Sequence, residues 1–241
     1  MDNKNTGEGI ISDSSSWTFK GIADSFESHI SKSVPLYSEA HNLVSSLTDF
    51  FINKNSIIVD VGCSTGNLIS LISNRQSHIK GLRFYLIDEE EDMLNFAKNN
   101  LENTKNISYE YICKNIFDVD LPNNADIYLS MFTIQFIPTS IRQEIVKRIY
   151  NSLSWGGAFF FFEKINGVDA RFHDMLVQNY EEYKIGKGYK LNEIKAKQNS
   201  LRGVLKPFSE RGNLEMLERA GFVDIQTIFH YGLFKGYLAI K

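Results

Sequence analysis

The apolar positions of this chain switch repeatedly between strand and helix spacing. Ile57-Ile58-Val59 and Val61 close around one acid, Asp60, as a run of buried-strand length, and Leu68, Ile69, Leu71 and Ile72 follow at helical spacing. The alternation then repeats: strand Phe84 to Ile87 ending at Asp88, helix Met93 to Leu101, strand Ile107 to Cys113, strand Asp126 to Ser130, helix Ile141 to Leu153, strand Ala158 to Phe162 ending at Glu163. Such a pattern predicts an α/β fold with a mostly parallel sheet and ligands at the carboxyl ends of its strands. Upstream, Ile22, Phe26 and Ile30, then Ala40, Leu43, Val44, Leu47, Phe50 and Phe51, recur at helical spacing around a break at Pro35. Two helices over 17–53 are therefore expected, with Tyr37 at the turn between them. The polar stretch Met1 to Ser16 carries no period and reads as a flexible tail before one domain over 17–241. Between Lys164 and Pro207 the alternation stops, and charge, Tyr and Asn around Gly186-Lys187-Gly188-Tyr189 predict a helical insertion on the substrate side. Helix Glu210 to Ala220, stopped by Gly221, leads into Val223 to Phe229 and Phe234 to Ile240 as an antiparallel hairpin, the last of seven strands.

Composition narrows the classes of function. With 241 residues, 43% of them hydrophobic, the chain can bury a substantial core. A net charge of -3 gives the surface no general attraction for nucleic acid, and no apolar run is long enough to span a membrane. Cys63 and Cys113 have neither metal nor disulfide spacing, the five histidines are scattered, and no leader pattern opens the chain. A cytoplasmic protein without a metal is expected. The lysines between Lys184 and Arg211 read as a solvated helix face, with a docking surface for protein or tRNA as the alternative.

The chemistry concentrates at Val59-Asp60-Val61-Gly62-Cys63-Ser64-Thr65-Gly66, a strand, a tight turn and a helix start. Glycines there permit close backbone approach, and a helix start favours a carboxylate. Asp60 adds a negative charge, which suits a ligand carrying both a carboxylate and an ammonium and repels a pyrophosphate. A dinucleotide fingerprint is disfavoured because Ser64 and Asn67 stand where two of its glycines belong. Gly62-Cys63-Ser64-Thr65-Gly66 also matches a hydrolase nucleophile elbow, but it follows the first strand, and no oxyanion loop precedes it. The remaining reading is the S-adenosylmethionine (SAM) site of the class I methyltransferases, a Rossmann-like fold, whose first motif these residues resemble. Asp88, closing the second strand, has the geometry to accept both ribose hydroxyls.

Trp17-Thr18-Phe19, Ser33-Val34-Pro35 with Tyr37-Ser38, Gly62-Cys63-Ser64, Phe132-Thr133-Ile134-Gln135-Phe136, Gly156-Gly157-Ala158, Glu163-Lys164, Gly188-Tyr189 and Ala220-Gly221-Phe222 together resemble the carboxy-S-adenosylmethionine synthases, a branch of that fold. The resemblance implies SAM as cofactor, prephenate as carboxyl source and a role in tRNA wobble-uridine modification. It also implies a cofactor site lined by Tyr37, Gly62, Cys63, Ser64, Asp88, Glu89, Asn115 and Ile116, to which the motif adds Asp60 and Gly66 and position adds Met131.

Three departures stand against it. The arginine that pairs with the extra carboxylate of the family's product aligns with Gln198, an expected Asn is Met131, and an expected acid is Asn115. Burying a carboxylate without a cation costs several kcal/mol. Plain SAM is therefore expected to fit better, unless Arg202, four residues beyond Gln198, reaches in from the same helix face. The first expectation is methyl transfer from SAM to a small molecule, leaving S-adenosylhomocysteine. Carboxy-SAM synthesis is the alternative, and a non-catalytic SAM-binding subunit, with a homodimer possible, is a second one. Tyr37, Phe132 and Phe136 are candidates to face the sulfonium. Glu163, His173 and Tyr189 are candidates for a general base.

Overall fold

The computed structural model describes residues 23–101 and 107–241. The Trp17-Thr18-Phe19 passage, Ile22 and the expected tail lie outside them. Seven strands, β1 (Ile57–Val61), β2 (Leu82–Asp88), β3 (Ile107–Cys113), β4 (Ala125–Met131), β5 (Leu153–Lys164), β6 (Asp224–Tyr231) and β7 (Phe234–Ile240), form one sheet in the order β3-β2-β1-β4-β5-β7-β6. The first five run parallel, and β7 lies antiparallel between β5 and β6. The strand order reverses between β1 and β4, which opens a crevice above their carboxyl ends.

Among the described residues eight α-helices accompany the sheet: α1 (Ala23–Ser33), α2 (Tyr37–Leu47), α3 (Asn67–Arg75), α4 (Glu91–Leu101), α5 (Thr139–Ser152), α6 (Ala170–Gly186), α7 (Leu191–Ser200) and α8 (Glu210–Ala220). The two-residue period of the strands sorts the core into two layers. Ile58, Phe84, Leu86, Leu129, Phe160 and Phe162 pack with α2, α3 and α4. On the other face Val59, Tyr128, Phe159 and Phe161 pack with α5 and α8. Phe159, Phe160, Phe161 and Phe162 are all fully buried, each worth about 1.5–3 kcal/mol. Asp60, two residues from Ile58, shares the first face and is carried to the crevice.

Several element ends differ from the expected ones. Helix α2 stops at Leu47 in a short 3-10 turn, which leaves Phe50 exposed. Strand β5 begins at Leu153, directly after α5, because a register shift against β4 lets Trp155 and Gly156 swing out before pairing resumes. Between β5 and α8 lie α6 and α7, joined by a short loop. Asp169 Oδ1 caps α6 by accepting from the Phe172 amide at 2.9 Å, and Glu193 Oε2 accepts from Lys190 N at 2.8 Å to start α7. Among the described residues no helix is long and apolar enough to cross a membrane.

Candidate functional site

A cavity of about 450 Å³ opens above the carboxyl ends of β1, β2 and β4, roofed by α1, α2, α6 and α7. At its acidic end, the turn after β1 is built around Asp88. Ser64 N donates to Asp88 Oδ2 at 2.8 Å and Glu90 N to Asp88 Oδ1 at 3.0 Å, while Gly62 N and Cys63 N donate to Ile87 O at 2.8 and 3.1 Å. These turn amides are thus committed to the end of β2 rather than kept for an anionic ligand. Each Asp88 oxygen keeps a second lone pair for a ligand hydroxyl.

The glycines serve the turn differently from expectation. Gly62 lies at φ +74°, and a Cβ there would sit 2.3 Å from Thr133 Oγ1, so the approach its missing side chain permits is that of Thr133. Gly66 does not line the cavity. At φ +76° it starts α3, and a Cβ would lie 3.0 Å from Ala97 Cβ, so it sets helix packing.

Asp60 lines the cavity from within the core. Burial, and secondarily the charge of Asp88, raise its carboxyl from 3.8 to about 8. Tyr37 faces the same space, its hydroxyl pushed well up by burial and then by Glu27 and Asp60. Its ring stacks obliquely on His41, with centroids 4.1 Å apart. Glu27, which accepts from Thr65 Oγ1 at 2.6 Å, also reaches the cavity. It was not foreseen, since α1 reads as an apolar stripe with an ordinary acid beside it.

At the far side of Asp88, Asn115 Oδ1 accepts from Phe117 N at 2.9 Å, Asn115 Nδ2 donates to Glu89, and Ile116 lies beside them. Together they make an edge suited to a flat heterocycle. Cys63, Met131, Phe132 and Phe136 line the space between. Phe132 adopts φ +63°, a conformation that costs a non-glycine residue about 1–3 kcal/mol, and its amide is held by Phe162 O at 2.7 Å.

The three candidate bases do not reach the cavity. Glu163 is buried on the opposite face of β5, where it accepts hydrogen bonds from the backbone at Ile134 and Gln135. Burial raises its carboxyl despite the nearby Arg142. His173 accepts from Gly167 N through Nδ1 at 3.2 Å and so fixes the loop before α6. Tyr189 stands one layer behind the wall, its hydroxyl 3.1 Å from Ser33 Oγ and 3.2 Å from His29 Nδ1. Arg202 is also outside: α7 ends at Ser200, so the i, i+4 relation to Gln198 breaks, and the exposed guanidinium donates to Asn199 Oδ1 at 3.3 Å. Gln198 does line the cavity, with its amide given to Glu181.

Opposite the acids lies a group of cations, two of which, Lys184 and Lys197, belong to the stretch that the sequence reads as a solvated face. Lys164, at the end of β5, and Lys184, on α6, both line the cavity, with Nζ atoms 4.7 and 4.4 Å from the centre of the Tyr180 ring. Lys184 is only 5% exposed. Lys197 lines the cavity as well and donates to Ser33 Oγ at 2.9 Å. Burial, assisted by Lys197 and Lys32, lowers the imidazole of His29 to about 3, which keeps it neutral. The cavity therefore has cations in its wall although Gln198 carries none. Cys113, by contrast, is exposed and takes no part.

Residues 58–157 match the family model of a methyltransferase domain. The carboxy-S-adenosyl-L-methionine synthase of Staphylococcus epidermidis is 36% identical over 227 residues, 93% of this chain and 97% of that protein. The synthase of the same name from Campylobacter jejuni subsp. jejuni is 32% identical over 222 residues, 92% of each. Among solved structures, human N-acetylserotonin methyltransferase in complex with SAM superimposes with a TM-score of 0.58 at 20% identity, covering 86% of this chain and 52% of that one, a likeness of fold.

Proposed function

Because the chain belongs to the carboxy-S-adenosyl-L-methionine synthase family, on the class I methyltransferase fold, we propose that it is an enzyme that binds SAM in the cavity above β1 and attaches a carboxyl group to it. The observation that carries this reading is the polarity of the cavity, with carboxylates at one end and ammonium groups at the other. Asp88 would accept the ribose hydroxyls, and Glu89, Asn115 and Ile116 would border the adenine. Asp60 would face the methionyl ammonium, and Tyr37 and Phe132 would stand beside the sulfonium. Holding the methyl carbon against the incoming carboxyl group can supply on the order of 7–11 kcal/mol through effective concentration, so little covalent assistance is required of the side chains. The reaction breaks one C–H bond of the sulfonium methyl and forms one C–C bond to a carboxyl group. Prephenate, the carboxyl source that the family resemblance implies, gives up that group by breaking the C–C bond that joins it to the ring and loses its ring hydroxyl as hydroxide to become phenylpyruvate. The hydroxide takes the methyl proton as water. A product of that kind serves wobble-uridine modification of tRNA in the family, and the same role is proposed for this one.

A second reading, methyl transfer to a small acceptor, is favoured by one observation: Gln198 is uncharged where the family resemblance expects an arginine. Mass spectrometry of the purified protein incubated with SAM and prephenate separates the two. A nucleoside heavier than SAM by a carboxyl group in place of hydrogen is the expected product. S-adenosylhomocysteine with a methylated acceptor would establish the second reading instead, and binding of SAM without turnover would indicate a non-catalytic subunit.

A further inference from the structure

Two buried lysines sharing one aromatic ring need a reason. Lys164 and Lys184 both sit against Tyr180, which is itself fixed by a 2.6 Å hydrogen bond from its hydroxyl to Ser33 O and by an edge contact with Phe234 at 5.2 Å. Among the described residues neither ammonium is in an ion pair. The nearby acid, Glu181, has its carboxylate engaged by the amide of Gln198. Burial lowers both lysines from 10.5 to about 8, and for Lys164 the charge of Lys184 adds to the effect. Glu181 is a single counter-charge acting on both lysines, so the pair leaves a net positive charge in the cavity wall, which points to an anion as a further partner.

Position argues for the same conclusion. The Lys164 backbone is anchored by its amide, which donates to Gln135 Oε1 at 2.8 Å, and Lys184 is held within α6. Neither ammonium has to be recruited from solvent. Gln198, in contrast, lies on α7 with its donor already committed to Glu181, so α7 presents no cation at that position.

We propose that Lys164 and Lys184 together form the receptor for the carboxylate that distinguishes carboxy-SAM from SAM, so that in this chain the discriminating charge comes from β5 and α6 rather than from position 198 of α7. The assignment rests on the carboxy-SAM reading above and adds to it which residues confer selectivity. Both ammonium groups line the cavity proposed to hold SAM, so an anionic group on the sulfonium carbon would meet two cations there, whereas a neutral methyl offers them no charge.

The test is calorimetric titration of the intact protein with SAM and with carboxy-SAM, read as the ratio of the two affinities. The native protein is expected to prefer carboxy-SAM by about tenfold or more, the worth of one charge-assisted hydrogen bond. Lys184→Gln and Lys164→Gln should each lower that ratio by about tenfold, and Lys184→Arg should largely keep it. A native preference that survives both glutamine variants overturns the lysine assignment while leaving the function standing. A native protein that does not prefer carboxy-SAM overturns the function itself. Should the variants fail to fold, acetylation of lysines in the native protein gives the answer by mass spectrometry. Carboxy-SAM should protect Lys164 and Lys184 more strongly than SAM does, and equal protection by both would refute the proposal.

Discussion

The two ends of the cavity solve the problem of a buried charge in opposite ways. At the acidic end burial still raises the Asp88 carboxyl, but two backbone amides offset part of that cost before any ligand arrives. The basic end has no such provision: Lys164 and Lys184 meet an aromatic face and each other. The difference teaches that one end is preorganised by its own chain, whereas the other is completed only by what binds there.

Replacing the preorganised acid should do the most damage. Asp88→Ala removes charged acceptors worth about 1.5–3 kcal/mol each, and SAM affinity should fall on the order of 100-fold in a calorimetric titration. A loss below tenfold would mean that the sugar is not held there.

Asp60 links the same end to pH. Its folded-state value is raised to about 8 from 3.8, so the stability it contributes is fully present below 3.8 and is lost as pH rises through 8. A cationic ligand favours the ionised form, so SAM affinity should rise with pH between 6 and 8, by at most about tenfold per unit. Asp88, Tyr37, Glu27 and Cys63 are titratable groups that face this region, and Asp60→Asn should flatten the profile. A slope that persists in that variant would assign the proton to one of those neighbours.

At the basic end the expected effect has the other sign. Lys184→Met removes an unpaired buried charge of the ligand-free protein and should raise its stability by about 1 kcal/mol, roughly 2–4 °C in a thermal melt. A lower melting temperature would show that the contact with Tyr180 outweighs the cost of burial. The smallest effect is expected at Arg202, which lies outside the cavity. Arg202→Ala should change the affinity for either nucleoside by no more than about twofold.

Much of the acidic end was legible because it is local. A strand followed by Gly62-Cys63-Ser64 and an acid closing the next strand is one supersecondary unit, and its parts are brought together by parallel pairing alone. Glu163 shows the limit of such reasoning. It closes β5 as Asp88 closes β2, yet the two-residue period turns it to the opposite face, beneath the turn at Ile134, and its neighbour Lys164 enters the cavity instead. Glu27 went unread for a related reason. A polar residue on an amphipathic helix looks solvated until the element that covers it is known.

The sequence by itself determined the order of strands and helices, the closing hairpin, the acids at strand ends and the glycine turn, since these follow from periodicity and from backbone angles that few residues adopt. Only the tertiary structure decided that Lys184 and Lys197 of the insertion turn inward, that α7 stops before Arg202, and that Tyr189 stands behind the wall. Those outcomes depend on where helices end and how they cross over the sheet, and packing between residues more than a hundred positions apart, such as Ser33 and Tyr180, sets that geometry.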